Sequence, residues 1–166
     1  MRSYGHALHA NGVSLRSMQP ARRPSQPAVS FRDLRVWQEA IKLVVDVRPL
    51  CANLRQSRHW DLADQLRRAA RSVHANLAEG WGRRTVRDRA KFYTESWSSL
   101  QEVETLLIEA STDDCTPAEL LQPCIRRVHN TTRLLSAFRR ATREKTESAE
   151  AEDGTAEDGT ASNDEA

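Results

Sequence analysis

The stretch that decides the fold is DQLRRAARSVHANLAEG, residues 64–80. On a helix with 100° per residue, its apolar side chains and the preceding leucine fall on one stripe. That stripe consists of Leu62, Leu66, Ala69, Ala70, Val73 and Leu77. Arg67, Arg68 and Arg71 fall on nearly the opposite side, beside Ala75 and Ala78. The stretch therefore predicts a helix with a core face and a basic outer face, whose small neighbours allow another molecule to come close.

A first helix is predicted to begin at Phe31, and it carries two apolar strips. One strip consists of Phe31, Leu34, Trp37, Ile41, Val44 and Val45, and the other of Val36, Ala40, Leu43 and Val47. Pro49 should end or kink this helix near residues 47–48. A helix that is apolar on two sides has two surfaces to bury. We predict that one strip packs into its own domain and that Val36, Leu43 and Val47 contact a second subunit.

Turn and capping signals divide the rest of the chain into three more helices. Gly80 is a natural residue to end the second helix, and Thr85 with Asp88 is a capping pair for the third. Thr116-Pro117-Ala118-Glu119 predicts a capping box for the fourth, in which Pro123 should bend the opening turns. No segment shows the two-residue alternation of a strand. The sequence thus predicts an all-α protein, an antiparallel up-down-up-down four-helix bundle over residues 31–140.

Charge is distributed unevenly along the 166 residues. Residues 1–30 hold four arginines and no acid, and we predict a disordered basic arm there. Residues 31–140 hold 19 Lys and Arg against 14 Asp and Glu, whereas residues 141–166 hold two basic and nine acidic residues. That last segment, with its repeated AEDGT, predicts a disordered acidic tail. A basic body favours contact with a polyanion, and a solvated helical surface is the plain alternative.

Catalytic and metal-binding patterns are not found in the sequence. Cys51, Cys115 and Cys124 are odd in number without C-x-x-C spacing, and the five histidines are scattered, so we expect reduced thiols, no metal and no cofactor. No apolar run is long enough to span a bilayer, and no hydrophobic leader is present, so we expect a cytoplasmic protein without membrane contact. We expect a non-enzymatic protein; an enzyme using His74, Asn76 and Glu79 is the weaker alternative.

The strongest chemical signal is the concentration of basic residues after residue 66. Arginine forks match phosphate oxygens, and an accessible tryptophan can stack on an unpaired base. We therefore predict nucleic-acid binding by Arg67, Arg68, Arg71, Arg83, Arg84, Arg87, Lys91 and Trp81. Two rows at seven-residue spacing, Glu95, Glu102 and Glu109 against Arg126, Arg133 and Arg140, are interpreted as facing surface ion pairs; otherwise these arginines join the basic surface. Glu79, opposed by the helix dipole, should pair with Arg83 or Arg84.

Three segments resemble one protein family. They are FRDLRVWQEA at residues 31–40, QLRRAARSVHANLAEG at residues 65–80 and SLQEVETLL at residues 99–107. The chain resembles the four-helix-bundle proteins encoded in intervening sequences of bacterial large-subunit ribosomal RNA genes, and more distantly the accessory protein of diversity-generating retroelements. It departs from the family pattern at Pro49, Arg71, His74 and Ser98.

The resemblance implies a four-helix protomer, a homopentamer and a positively charged surface suited to RNA or DNA. By position, Arg67, Arg68 and Arg71 match the basic block of the family, and Asn76, Glu79 and Gly80 match its helix-end motif. The alternative function is an adaptor or scaffold whose partner is another protein, such as a reverse transcriptase.

Overall fold

The computed structural model describes residues 28–112 and 116–156, and these residues form four helices without strands. A short 3₁₀ turn at Phe31–Asp33 precedes α1 (Arg35–Gln56), α2 (Trp60–Gly82), α3 (Val86–Ser111) and α4 (Ala118–Ala156). Each helix contacts the next, and α4 packs back on α1. Contacts between α2 and α3 pair rising with falling residue numbers (72 with 99, 73 with 96, 80 with 93), the pattern that the predicted antiparallel arrangement requires. The predicted all-α four-helix bundle is confirmed.

The core is lined by the predicted stripe of α2, which lies inside from Leu66 to Leu77. It is completed by aliphatic side chains of the other helices, with Leu43, Leu100 and Leu135 all inaccessible to solvent. Burying such side chains stabilises a fold by about 1.5–3 kcal/mol each. Two polar residues share the core, because Ser96 donates a hydrogen bond to the Val73 carbonyl at 2.8 Å and Thr131 donates one to the Arg127 carbonyl at 2.8 Å.

The prediction that Val36, Leu43 and Val47 contact a second subunit is wrong. These side chains are 4 %, 0 % and 1 % exposed within a single chain, because they pack into its own core. Their strip continues through Leu50, Cys51 and Leu54, whereas the other strip stops at Val45 and gives way to Arg48. The longer strip therefore faces inward. The shorter one, with half-buried Trp37, Ile41 and Val44 and exposed Val45, remains at the surface.

Of the two predicted effects of Pro49, an end of the helix near residues 47–48 is wrong, since α1 continues to Gln56. A proline in a helix removes one hydrogen bond, the one that its nitrogen would donate to the carbonyl four residues earlier. Here that carbonyl belongs to Val45, on the exposed side of the helix, where water can satisfy it. Burial of Leu50 and Leu54 beyond the proline favours the continuous helix.

The helix boundaries confirm one predicted cap and correct two others. Thr85 accepts a hydrogen bond from the Asp88 amide at 3.1 Å, as predicted for the start of α3. The predicted box at Thr116 is not formed, because the Thr116 hydroxyl is buried without a partner in the part of the chain that the structure describes. Gly80 lies inside α2 and does not end it; the helix runs two residues further, to Gly82.

The predicted disordered tail is corrected for residues 141–156, which continue α4 as a helix. Arg140 with Glu144 and Arg143 with Glu147 form ion pairs at i, i+4 spacing, and such pairs support an exposed helix. Residues 157–166 and the predicted basic arm up to residue 27 lie outside the described residues, as does Cys115.

Candidate nucleic-acid interface

The outer face of α2 carries the three arginines that the sequence singles out. Arg67, Arg68 and Arg71 are all exposed and lie within about 40–100° of one another around the helix. Arg67 lies 3.4 Å from Asp64, but Asp64 already accepts a hydrogen bond from Arg55, which holds the pKa of Asp64 below its usual value. Arg68 and Arg71 form no ion pair or hydrogen bond with any described residue. The three guanidinium groups are therefore available to a ligand.

The same face of α2 continues through Ala75 and Ala78 to the α2–α3 loop. Arg83 pairs with Glu79 across one helical turn, as predicted, and its guanidinium lies 4.4 Å from the centre of the Phe92 ring. Arg84 is exposed and has no partner among the described side chains. From Arg67 to Arg83 the helix rises about 24 Å, so the loop extends the basic surface along one side of the bundle.

Arg87 and Lys91, at the start of α3, point away from α2. Lys91 lies 3.4 Å from Asp88, and Asp88 also accepts from the Thr85 hydroxyl at 2.8 Å, so the pKa of Asp88 is held below its usual value. Arg87 is exposed and forms no ion pair within the described ranges. By helical spacing these two residues lie three positions before Ala90 and Thr94, on the side of α3 that leads to α4.

Trp81 is not the free stacking platform that the sequence suggests. Its ring is largely covered because it packs against the core at the end of α2. Trp97 on α3 is also occupied, because the Arg139 guanidinium lies 5.0 Å from the centre of its ring. The exposed aromatic ring on the outer face of α2 is instead that of Trp60, the first residue of the helix, which is 58 % exposed and lies two turns before Arg67 on the same side.

A second basic region, which no sequence pattern indicates as a unit, lies between α3 and α4. It is a groove of about 710 Å³ with four arginines on its α4 wall: Arg133, Arg139, Arg140 and Arg143. The interpretation that the rows of Glu95, Glu102, Glu109 and Arg126, Arg133, Arg140 face each other is wrong. Within residues 28–112 and 116–156, no glutamate of the first row forms an ion pair with an arginine of the second row.

The physical reason is the rotation of α3. The side of α3 that meets α4 is given by Tyr93, Leu107 and Ile108, which line the grooves between the two helices. At 100° per residue, Glu95 and the two glutamates at heptad spacing from it lie well over 100° away from that side. A shared heptad spacing places residues on one stripe of a helix, but it does not determine what that stripe faces.

The residues of the enzyme alternative are not brought together. The His74 ring contacts Trp37 edge-on at 6.4 Å, the Asn76 amide donates to Ser72 Oγ at 3.0 Å, and Glu79 pairs with Arg83. Burial, aided by the charge of Arg71, lowers the pKa of His74. Each of the three thus contacts a different part of the structure.

The described chain also offers no metal centre. Within residues 28–112 and 116–156, no group of three His, Cys, Asp or Glu side chains could hold an ion. Cys51 and Cys124 are buried and free, and burial raises the pKa of the Cys124 thiol to about 12. None of the helices in these residues is long and apolar enough to cross a membrane.

Comparison with known protein families gives a match over the greater part of the chain. Residues 32–137 match the model of the family described as "23S rRNA-intervening sequence protein". The match covers the whole of α1, α2 and α3 and the first half of α4. No curated protein matches the chain.

Proposed function

Because the chain belongs to the 23S rRNA-intervening sequence protein family, we propose that it is a non-enzymatic helical protein that binds structured RNA or DNA through the outer face of α2. The observation that carries the proposal is the exposure of Arg67, Arg68 and Arg71 on one stripe, with Arg68 and Arg71 unpaired in the described chain. The loop residues Arg83 and Arg84 extend this surface. Arg87 and Lys91 lie outside it, on the side of α3 that leads to α4.

The arrangement suits recognition of phosphates more than recognition of bases. A guanidinium donates two parallel hydrogen bonds to one phosphate, and an array of arginines on a convex helix meets the backbone of a folded nucleic acid. Contacts of this kind carry little sequence information, and each releases counterions, so affinity falls with rising salt. Exposed Ala75 beside the arginines removes steric hindrance to a close approach.

Replacing the three arginines with alanine (R67A/R68A/R71A) should weaken binding of a labelled RNA hairpin about tenfold at about 200 mM salt, and by more at lower salt, because up to three phosphate contacts are lost. The slope of log affinity against log salt should become shallower by about 2–3 for the same reason. Fluorescence anisotropy over about 50–200 mM salt measures both quantities.

The matched control for this experiment is R35A/R48A/R126A. It removes the same charge from three exposed arginines without ion pairs in the described ranges, on α1 and α4. Its affinity should stay within about twofold of the unmodified protein. Equal losses in both variants, or an affinity that does not respond to salt, would contradict the proposal.

We further propose that the chain assembles with copies of itself, a pentamer being the form that the family resemblance implies. The surface available for this is the outer strip of α1: Trp37, Ile41, Val44 and Val45. Val45 is 41 % exposed, and burying aliphatic side chains in a subunit contact is favourable.

Introducing two charges into this strip (I41E/V45E) should dissociate the oligomer, because a carboxylate in a subunit contact loses its hydration without a partner. Light scattering on a sizing column measures the mass. L43E is unsuitable as a test, since Leu43 lies in the core and its replacement would unfold the chain. An unmodified protein with the mass of one chain would overturn the proposal.

The same strip is what favours the second candidate function, an adaptor that binds another protein such as a reverse transcriptase. In that case the unmodified chain is monomeric alone, and I41E/V45E prevents binding of the partner without changing the mass. We also propose a cytoplasmic location, where thiols such as Cys51 and Cys124 stay reduced.

A further inference from the structure

The groove between α3 and α4 is separate from the outer face of α2. Its lining residues have the composition of an anion-binding site. Its walls come from Arg133, Arg139, Arg140 and Arg143 on α4 and from Thr94 on α3, above the ring of Tyr93. None of its lining residues is acidic. Arg87 and Lys91 lie beside the α3 wall by helical spacing, so positive charge borders the groove on both sides.

Its arginines are free to change partners. Arg133 forms no ion pair with the described residues. Arg140 and Arg143 lie 3.9 and 3.4 Å from Glu144 and Glu147, but these groups are 64–72 % exposed, and exposed pairs contribute little. Arg139 is held over the Trp97 ring at 5.0 Å, which orders its guanidinium at the edge of the groove.

The guanidinium groups are the charged hydrogen-bond donors that line the groove. The hydroxyls of Thr94 and Ser136 already donate to backbone carbonyls one turn earlier, at 3.0 and 2.8 Å. Small Ala90 and Ala137 line the space between the walls and leave room for a ligand. The recognised group must therefore be an anion that accepts several charged hydrogen bonds, which is the chemistry of a phosphate.

We propose that this groove binds the backbone of a single nucleic-acid strand. From Arg133 to Arg143 the α4 wall is about 15 Å long, enough for about four stacked nucleotides at 3.4 Å each. The four arginines that line the groove all belong to α4, so they follow one line that a single phosphodiester backbone can track. The inference rests on the proposed function and adds a second site for a different form of nucleic acid.

The test uses the full chain and a labelled uridine oligomer of about twelve nucleotides. R133A/R140A should lower its affinity about tenfold, since two of the four guanidinium groups are lost. The control R48A/R126A removes two exposed arginines outside the groove, one of them on the same stripe of α4, and should change affinity less than about twofold. A base-paired oligomer of equal length should compete weakly.

Equal losses in R133A/R140A and R48A/R126A would overturn the groove as a site, and so would full affinity in R133A/R140A. Displacement of the strand by a nucleoside triphosphate at the same phosphate concentration would assign the groove to free phosphates and overturn the strand. R67A/R68A/R71A separates the two proposals. If it weakens hairpin binding while no variant affects the uridine oligomer, the groove fails and the proposed function stands; the reverse result leaves only the groove.

Discussion

Replacing Gly80 with alanine should destabilise the bundle by about 2 kcal/mol, although alanine is the better helix former by about 1 kcal/mol. A Cβ at this position would lie 2.5 Å from Tyr93 Cε1 and 3.0 Å from Phe92 Cβ. The Tyr93 ring is 2 % exposed and packs on Phe138 with ring centres 4.8 Å apart, so it cannot shift away from Gly80 without losing that contact. Overpacking of this kind costs about 1–3 kcal/mol or more. Thermal unfolding followed by circular dichroism should show a midpoint lowered by about 4–8 °C.

The same helix supplies the control. Gly82 lies two residues further along α2, and a Cβ there would meet nothing within 4 Å, so Gly82→Ala should leave stability unchanged or raise it slightly. The clash with the ring can be separated from other effects by the double variant G80A/Y93L, which should be less destabilised than the sum of its single changes. Additive losses, or a Gly80→Ala protein as stable as the original, would show that the ring does not restrict this position.

Gly80 also shows why helix ends are harder to predict than helices. The apolar stripe of residues 62–77 depends only on local spacing, and the structure buries its members from Leu66 onward as expected. A glycine after such a stripe resembles a helix end, but here it is needed because α3 approaches α2 closely at Tyr93. That approach depends on the register of two helices, which spacing along one helix does not contain.

The two strips of α1 illustrate a second limit. Both satisfy the spacing of a core face, so the pattern alone does not select one of them. The length of each strip distinguishes them, because the strip that begins at Val36 continues to Leu54 beyond Pro49. A proline on the exposed side of a helix costs one hydrogen bond, and burial of three further side chains outweighs it here.

The candidate nucleic-acid-binding residues likewise differ in how well the sequence predicts them. The exposure of Arg67, Arg68 and Arg71 follows from their position opposite the core stripe, and the structure places all three at the surface. The groove of α4 arginines follows only from how α3 and α4 are rotated against each other. Arg133 and Arg140 were visible in the sequence as a row, but their relation to Ala90 and Thr94 was not.

Replacing Arg127 with methionine should lower the free energy of unfolding by about 2–3 kcal/mol. Arg127 joins α4 to α1, donating to Glu39 Oε2 at 2.5 Å and to Asp46 Oδ2 at 2.7 Å. All three side chains are 18–25 % exposed, so the loss of the guanidinium leaves two carboxylates partly buried beside each other. Methionine keeps most of the packing of the arginine stem, which limits the change to charge and hydrogen bonding. Urea denaturation at neutral pH measures the difference.

Lys42→Met is the matched control, because Lys42 contacts the same carboxylate at 2.6 Å but is 52 % exposed. An exposed pair at i, i+3 spacing contributes little, so its loss should cost no more than about 0.5 kcal/mol. A loss as large as that of Arg127→Met would show that the charge of Glu39, and not the link between α1 and α4, determines the effect.

The dependence on pH distinguishes the ion pairs from simple packing. Burial alone would raise the pKa of Glu39, but hydrogen bonds from Lys42 and Arg127 outweigh it and hold the pKa below the ordinary value of 4.5. A carboxyl group with a lowered pKa stabilises the fold above its unfolded pKa, and this contribution is lost as the pH falls through the folded value. The difference between the original protein and Arg127→Met should therefore be largest near neutral pH and should narrow below about pH 4.5. A difference that stays constant well below that pH would assign the role of Arg127 to packing of its stem.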